Sequence, residues 1–77
     1  MDTIIINILS EIRPEFNFSE SVDFFEEGLL DSFDVLRLVA ELDKAYGISI
    51  DGTDIIAKNF SSVEKIIALL HKNGVKS

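Results

Sequence analysis

The sequence contains no cysteine among its 77 residues. Disulfide bonds, thiolate metal ligands and a cysteine nucleophile are therefore all excluded. Any chemistry of this protein that needs a thiol must obtain it from an attached group. The chain is also too short to bury two separate hydrophobic cores, so residues 1–77 are predicted to form one domain with little room for a buried substrate pocket.

Basic residues are scarce, because seven Lys and Arg stand against fourteen Asp and Glu and give a formal net charge of −7. A surface of this sign repels nucleic-acid phosphates and anionic lipids, and it attracts basic protein surfaces. We therefore expect no nucleic-acid partner. The hydrophobic fraction of 47% is nevertheless high enough for the chain to fold around a core.

A long uninterrupted apolar run is also missing. Asp2 stands where a signal peptide would carry Lys or Arg, and Asn7 and Glu11 interrupt the apolar residues that follow. We therefore expect a soluble, cytoplasmic and monomeric protein without membrane insertion.

The spacing of the apolar residues at the start of the chain predicts a first helix. Asp2 or Thr3 is expected to be its N-cap, and Pro14 ends it. A long apolar connection follows, in which we expect short turns within residues 19–27. The helical face at i, i+3, i+4 and i+7 consists of Ile5, Ile8, Leu9 and Ile12.

A second helix is predicted from Asp31 and Ser32, which are both strong N-cap types, to about Tyr46. Asp34 stands three residues after Asp31, in an arrangement that resembles a capping box. Gly47 is a natural C-cap for this helix. Its inner stripe is expected to consist of Val35, Leu38, Val39, Leu42 and Tyr46.

Two further helices are predicted in the last third of the chain. The turn at residues 51–54 is expected to start a short third helix that reaches Ala57. The final helix is expected to open with Ser61 and Glu64 as a capping box and to stop at Gly74. The predicted fold is therefore an all-α four-helix bundle of three main helices and one short helix.

The stretch GLLDSFDVLRLVAELDKAYGISI, at positions 28–50, resembles the acyl carrier and peptidyl carrier protein family. The signature of that family is an acidic residue and a Ser followed by a bulky apolar residue, here Asp31, Ser32 and Phe33. The resemblance covers nearly the whole chain, since it extends to chain length, acidity and helix order. It implies that a transferase moves phosphopantetheine from coenzyme A to the Ser32 hydroxyl, and that the resulting arm holds cargo as a thioester without catalysis by the protein itself.

The residue types around Ser32 are compatible with this role. Unpaired backbone N–H groups and the positive dipole end of a helix favour a phosphodiester at its first residue. Asp31 is expected to cap the helix and to attract a basic partner, while Phe33 is either an apolar docking contact or an ordinary core residue. The full set of expected partner-recognition residues is Asp31, Phe33, Asp34, Arg37 and Glu41.

The outer face of the second helix departs from the usual acidic pattern of the family, because Arg37 and Lys44 interrupt it. This departure favours a carrier of an aminoacyl, D-alanyl or specialised acyl group over a general fatty-acid carrier. The interleaved charges also allow pairs of Glu41 with Arg37 or Lys44. The partners that the resemblance implies are a phosphopantetheinyl transferase, an acyl- or aminoacyl-activating ligase, and acyl-transfer or condensing enzymes.

The same residues allow other interpretations. An Asp–Ser pair before an apolar run is also typical of an ordinary N-cap, so an unmodified acidic helical interaction module is the main alternative. A hydrolase built on Ser32, Asp31 and His71 lacks the usual orienting geometry. The acidic turn at residues 51–54 does not have the ligand spacing of a calcium loop, so no metal site is expected.

Overall fold

The computed structural model describes residues 2–19 and 22–76. This part of the chain contains three α-helices and two short 3-10 helices and no strand, which confirms the predicted all-α class. Helix α1 packs against both α2 and α3. The elements in chain order are α1 at Asp2–Ile12, α2 at Ser32–Tyr46, a first 3-10 helix at Gly52–Asp54, a second at Ala57–Phe60, and α3 at Val63–Lys72.

Helix α1 buries the apolar face that the sequence predicts, with Ile5, Ile8, Leu9 and Ile12 in the core. Its start differs from the expectation. Asp2 and Thr3 both lie inside the helix, so neither is the N-cap, which requires non-helical backbone angles. A carboxylate in the first turn, as at Asp2, is still favourable because it faces the positive end of the helix dipole.

Two phenylalanines hold the long connection between α1 and α2 against the bundle. Phe18 and Phe24 are 1% and 0% exposed, and their rings meet edge to face with centroids 5.2 Å apart. The backbone N–H of Phe24 also donates to the carbonyl of Ser61 at 2.8 Å, which ties the connection to the residues before α3. The connection is therefore part of the folded core and not a free loop.

The short turns expected within this connection are present at residues 24–28, while residues 20 and 21 lie outside the described residues. The N–H groups of Leu29 and Leu30 both donate to the Phe24 carbonyl, at 2.7 and 3.1 Å. Gly28 has φ +74°, a left-handed angle that side chains disfavour. A Cβ at Gly28 would meet no atom within 4 Å, so this glycine is required by its backbone angle and not by a close approach.

Helix α2 forms with the caps and the buried stripe that the sequence predicts. Asp31 is its N-cap, and Gly47 is its C-cap in the left-handed conformation at φ +63°. Tyr46 is half-buried at the end of the stripe. The fully inward residues are Val35, Leu38, Val39 and Leu42.

The predicted short third helix is not continuous. Two 3-10 helices stand in its place, and Ile55 and Ile56 lie between them outside any helix. Asp51 is the N-cap of the first 3-10 helix. The Asp51 carboxylate accepts both the N–H and the hydroxyl of Thr53, at 2.8 and 2.7 Å. The β-branched residues Ile55 and Ile56 follow this helix and have a lower helix propensity than unbranched residues.

Helix α3 starts one residue later than predicted. Its N-cap is Ser62, whose hydroxyl accepts the Lys65 N–H at 3.1 Å, whereas the Ser61 hydroxyl donates to the Lys58 carbonyl at 3.2 Å. The predicted capping box of Ser61 with Glu64 is therefore wrong. Gly74, at φ +87°, directly follows the C-cap Asn73 and ends the helix as expected.

The length and hydropathy of the helices bear on membrane insertion. Within residues 2–19 and 22–76, every helix is too short or too polar to cross a bilayer.

Candidate functional site

Ser32 is the first residue of α2 and is exposed to solvent. Its backbone lies between the N-cap Asp31 and the first-turn residue Asp34, whose carboxylates fix the start of the helix. The Asp31 carboxylate accepts the Asp34 N–H at 2.9 Å, and the Asp34 carboxylate accepts the Asp31 N–H at 3.1 Å. This reciprocal arrangement is the predicted capping box, with Asp in the place of the more usual Glu.

Arg13, which directly follows α1, binds both carboxylates of this cap. Its Nε donates to Asp34 Oδ2 at 2.9 Å, and its Nη2 donates to Asp31 Oδ2 at 3.2 Å. Its Nη1 lies 3.6 Å from a carboxylate oxygen of Glu15. The Arg13 side chain therefore connects the end of α1 to the turn of α2 that begins with Ser32.

The charges of this cluster shift the acid–base equilibria of its members. The backbone N–H of Asp34 lowers the pKa of the Asp31 carboxyl, and the positive charge of Arg13 acts in the same direction. The pKa of Arg13 is raised in turn, chiefly by its hydrogen bond to Asp34. The two shifts favour the charged forms of Asp31 and Arg13, so these two groups are ionised at neutral pH.

Arg13 is a residue of this site that local sequence patterns do not predict. It is separated from Asp31 by 18 residues and from Asp34 by 21, and helical periodicity indicates contacts only within one helix. A paired arrangement of this kind follows from the packing of α1 on α2, which the local pattern does not specify.

Asp34, one of the expected partner-recognition residues, does not lie on the exposed face of α2. Asp34 is 9% exposed, and its carboxylate is engaged by the Asp31 N–H and by Arg13. A first-turn residue that closes a capping box turns its side chain back toward the N-cap, which removes it from the exposed face of the helix. Asp34 is therefore a buried structural residue.

Phe33 projects into solvent and is 81% exposed, so it is not a core residue. Leu36 on the next turn is 59% exposed, and Ile56, between the two 3-10 helices, is 49% exposed. Leu36 lies off the inner stripe of α2, which is the signal that could have marked it as exposed. Phe33 is the most exposed large apolar side chain in the part of the chain that the structure describes.

The charged residues on α2 that were expected to recognise partners are accessible to different degrees. Arg37 is exposed and Glu41 is partly exposed. Among the residues that the structure describes, neither the Arg37–Glu41 pair nor the Glu41–Lys44 pair is within ion-pair distance. The guanidinium of Arg37 is therefore not engaged by Glu41 in this structure.

A surface cleft of about 350 Å³ lies next to Ser32. Apart from Ser32, its lining is apolar and comes from α2, the long connection and the 3-10 segment. Leu36 forms part of the lining and is 59% exposed, so the cleft is not enclosed. The lining residues are Phe25, Ser32, Val35, Leu36, Ile55 and Ala57.

The geometry of Ser32 does not suit a hydrolase. Both oxygens of Asp31 are engaged, one by the Asp34 N–H and the other by Arg13, so Asp31 is not free to orient an imidazole. His71 lies exposed in the last turn of α3. Across the described ranges 2–19 and 22–76, no group of three or more His, Asp or Glu side chains is placed to hold a metal ion.

Comparison with known proteins identifies one protein family. Residues 3–70 match the family described as "Phosphopantetheine attachment site". The chain is similar to a D-alanyl carrier protein of Lactococcus lactis subsp. cremoris (strain MG1363), with 35% identity over 66 residues, which are 83% of this chain and 84% of that protein. It is similar to an acyl carrier protein of Phytoplasma australiense, with 42% identity over 71 residues, 92% of this chain and 88% of that protein.

A further relative extends the comparison at lower identity. The chain is 28% identical over 65 residues to a D-alanyl carrier protein of Bacillus velezensis (strain DSM 23117 / BGSC 10A6 / LMG 26770 / FZB42), which covers 82% of this chain and 83% of that protein. No solved structure matches the chain at a significant level.

Proposed function

Because the chain belongs to the phosphopantetheine attachment site family, we propose that Ser32 is the residue that bears its phosphopantetheine arm. The function of the protein is that of a carrier, which holds a thioester-linked group and does not transform it. The arm supplies the thiol that a sequence without cysteine cannot provide. Membership of this family is therefore compatible with a sequence that contains no cysteine.

The observation that carries the assignment of Ser32 is its exposed position at the first residue of α2. A hydroxyl at this point can be reached by a modifying enzyme, and the positive end of the helix dipole favours the negative phosphodiester that forms. Because both oxygens of Asp31 are occupied by other groups, that carboxylate does not tie down the neighbouring hydroxyl.

The bond changes at Ser32 are those of phosphoryl transfer. The Ser32 oxygen would attack the phosphorus that bears the pantetheine in coenzyme A, and the remainder of coenzyme A would leave as a nucleotide. A base of the transferase would take the hydroxyl proton. The carrier's own residues contribute only a positioned and exposed nucleophile, which is why the chain needs no catalytic group.

The exposed apolar residues next to Ser32 suit docking of the enzymes that act on the arm. Phe33 and Leu36 lie on the first two turns of α2, on the accessible side of the helix. Exposed aromatic side chains of this kind are frequent anchors in protein interfaces. The expected partners are the transferase, an acyl- or aminoacyl-activating ligase and acyl-transfer or condensing enzymes, and Asp31, Arg37 and Glu41 are the charged residues expected to contact them.

We propose that the cargo is a small aminoacyl group such as D-alanyl. Two observations support this choice, namely the similarity to D-alanyl carrier proteins and the mixed charge on α2, where Arg37 and Lys44 interrupt the acidic residues. An acyl cargo is the second candidate, favoured by the similarity to an acyl carrier protein and by the apolar lining of the cleft beside Ser32. Loading assays with a D-alanine ligase and an acyl ligase distinguish the two.

The test of the attachment site is the intact mass of the protein after incubation with coenzyme A and a promiscuous phosphopantetheinyl transferase. The wild-type chain is expected to gain the mass of one phosphopantetheine group, and Ser32→Ala is expected to gain none. Ser19→Ala, which removes another exposed hydroxyl, is the matched control and should be modified like the wild type. An unmodified wild-type chain would favour the alternative of an acidic interaction module.

A further inference from the structure

Arg13 links the end of α1 to the turn of α2 that begins with Ser32. It reaches from the end of α1 across to α2, where one guanidinium group binds Asp34 at 2.9 Å and Asp31 at 3.2 Å. Its own backbone N–H donates to the Leu9 carbonyl at 2.9 Å, so the residue is anchored to the last turn of α1. The contact is thus made between two rigid elements.

The two carboxylates that Arg13 binds stand on either side of Ser32 in the sequence. Asp31 precedes it as the N-cap, and Asp34 follows it as the residue that closes the capping box. A single oxygen of Asp34, Oδ2, accepts both the Asp31 N–H and the Arg13 Nε–H. The hydrogen bonds that shape the first turn of α2 and those that orient it against α1 therefore share one atom.

The planar guanidinium is suited to this task. It presents several donors in a fixed fork, so that it constrains the direction of two carboxylates together, which a lysine ammonium cannot do in the same way. Its positive charge also offsets the two negative charges next to Ser32. In the described part of the chain, Arg13 is the cation that contacts these two carboxylates. Without Arg13, the negative phosphodiester on Ser32 would form beside two carboxylates that no cation contacts.

We propose that Arg13 is a positioning residue for the modification of Ser32, holding the first turn of α2 in the orientation at which the phosphopantetheine arm is attached. This inference rests on the proposed function, because it presupposes that Ser32 is the attachment residue. Arg13 itself does not touch the reacting oxygen. It acts through Asp31 and Asp34.

The experiment measures kcat and KM of arm transfer from coenzyme A with the carrier as the varied substrate. Arg13→Gln is expected to lower kcat on the order of tenfold, the rate equivalent of losing one hydrogen bond to a charged group, and to leave KM nearly unchanged. Arg13→Lys keeps the charge but loses the fork, so its kcat is expected to lie between those of the wild type and Arg13→Gln.

A purely structural role gives a different result. If loss of Arg13 only unfolded part of the protein, less carrier would be competent to bind, so the apparent KM would rise while kcat stayed at the wild-type value. Lys72→Gln is the matched control, because Lys72 also joins two elements through an ion pair, with Asp54 at 2.8 Å, and this pair involves neither Asp31 nor Asp34. It is expected to keep the wild-type kcat.

The outcomes separate this inference from the proposed function. If Arg13→Gln keeps the wild-type kcat, whether or not its KM changes, the positioning role is overturned. The assignment of Ser32 as the attachment residue would still stand. A wild-type chain that accepts no arm would overturn the proposed function itself. If Arg13→Gln does not fold by circular dichroism, Arg13→Lys decides, since a kcat equal to that of the wild type would then contradict the proposal.

Discussion

Asp31 and Asp34 each accept the backbone N–H of the other, at 2.9 and 3.1 Å, and both also bind Arg13. The start of α2 is therefore held by two carboxylates, and the pKa of Asp31 is lowered, chiefly by the hydrogen bond that its carboxylate accepts from the Asp34 N–H. Stability at this point of the fold consequently depends on pH. The same two residues lie next to the proposed attachment site, so acid is expected to loosen the turn that presents Ser32.

The first prediction concerns the pH dependence of stability that Asp31 contributes. Its pKa is lower in the folded protein than in the unfolded chain, chiefly because its carboxylate accepts the Asp34 N–H. The folded state therefore binds fewer protons, and the contribution is present above the unfolded pKa of about 4 and is lost as the pH falls through the folded pKa. Asp31→Asn still provides an N-cap side chain, but this side chain is neutral at every pH.

Chemical denaturation at several pH values between neutrality and acid checks this prediction. Asp31→Asn is expected to be less stable than the wild type at neutral pH, and the difference is expected to shrink as the pH falls below 4. The groups that face Asp31 are Arg13, which remains charged throughout, and Asp34, which both proteins retain. A difference that is equal at all pH values would show that the Asp31 charge does not stabilise the cap.

The second prediction concerns the Tyr46 hydroxyl at the end of the inner stripe of α2. This oxygen is buried, and no hydrogen-bond partner for it lies within the described ranges 2–19 and 22–76. A buried hydroxyl without a partner costs free energy because it has lost its hydrogen bonds to water. Tyr46→Phe keeps the ring and removes the oxygen, so it is expected to leave the free energy of unfolding unchanged or raise it by about 1 kcal/mol.

The pH dependence gives a second measurement on the same variant. Burial raises the pKa of Tyr46, so the folded state retains the phenol proton more strongly than the unfolded chain does. The stability of the wild type is therefore expected to fall as the pH rises through and above about 10, and Tyr46→Phe should lack this component. A clear loss of stability in Tyr46→Phe at neutral pH would indicate a bound water or another partner for the hydroxyl.

Local patterns were sufficient to predict much of this fold but not the contacts between distant segments. The capping box joins Asp31 and Asp34, which are only three residues apart, so it was predicted correctly from the sequence. The buried stripe of α2 was predicted correctly for the same reason, because its residues recur at helical spacing. The choice between Ser61 and Ser62 as the cap of α3 could not be made locally, because either side chain can cap a helix. The Phe24 N–H that binds the Ser61 carbonyl comes from a distant part of the chain.

The candidate site shows the same division. Ser32, Phe33 and the cap follow from a short motif, whereas Arg13 enters the site only because α1 ends beside the start of α2. Asp34 is engaged both by the local capping box with Asp31 and by Arg13, so a residue expected to meet partners serves the internal structure. In the third helical segment, the turn at Asp51 was predicted correctly as a helix start, whereas its division into two 3-10 helices was not.

The last prediction concerns docking at Phe33, which is 81% exposed directly after the proposed attachment residue. Burial of this ring in a partner would remove a large apolar area from water, and truncation at such a position commonly weakens binding substantially. Phe33→Ala is expected to raise the KM of the carrier for the transferase about tenfold, which corresponds to about 1.4 kcal/mol, while kcat stays nearly constant.

The matched control is Ile4→Ala on α1, where the apolar side chain is also exposed, at 49%. Neither substitution should change the free energy of unfolding by more than about 0.5 kcal/mol, because neither side chain is in the core. A KM that rises equally in both variants would mean that exposed apolar area anywhere on the surface assists binding. A rise confined to Phe33→Ala would locate the docking surface at the start of α2, beside the residue that receives the arm.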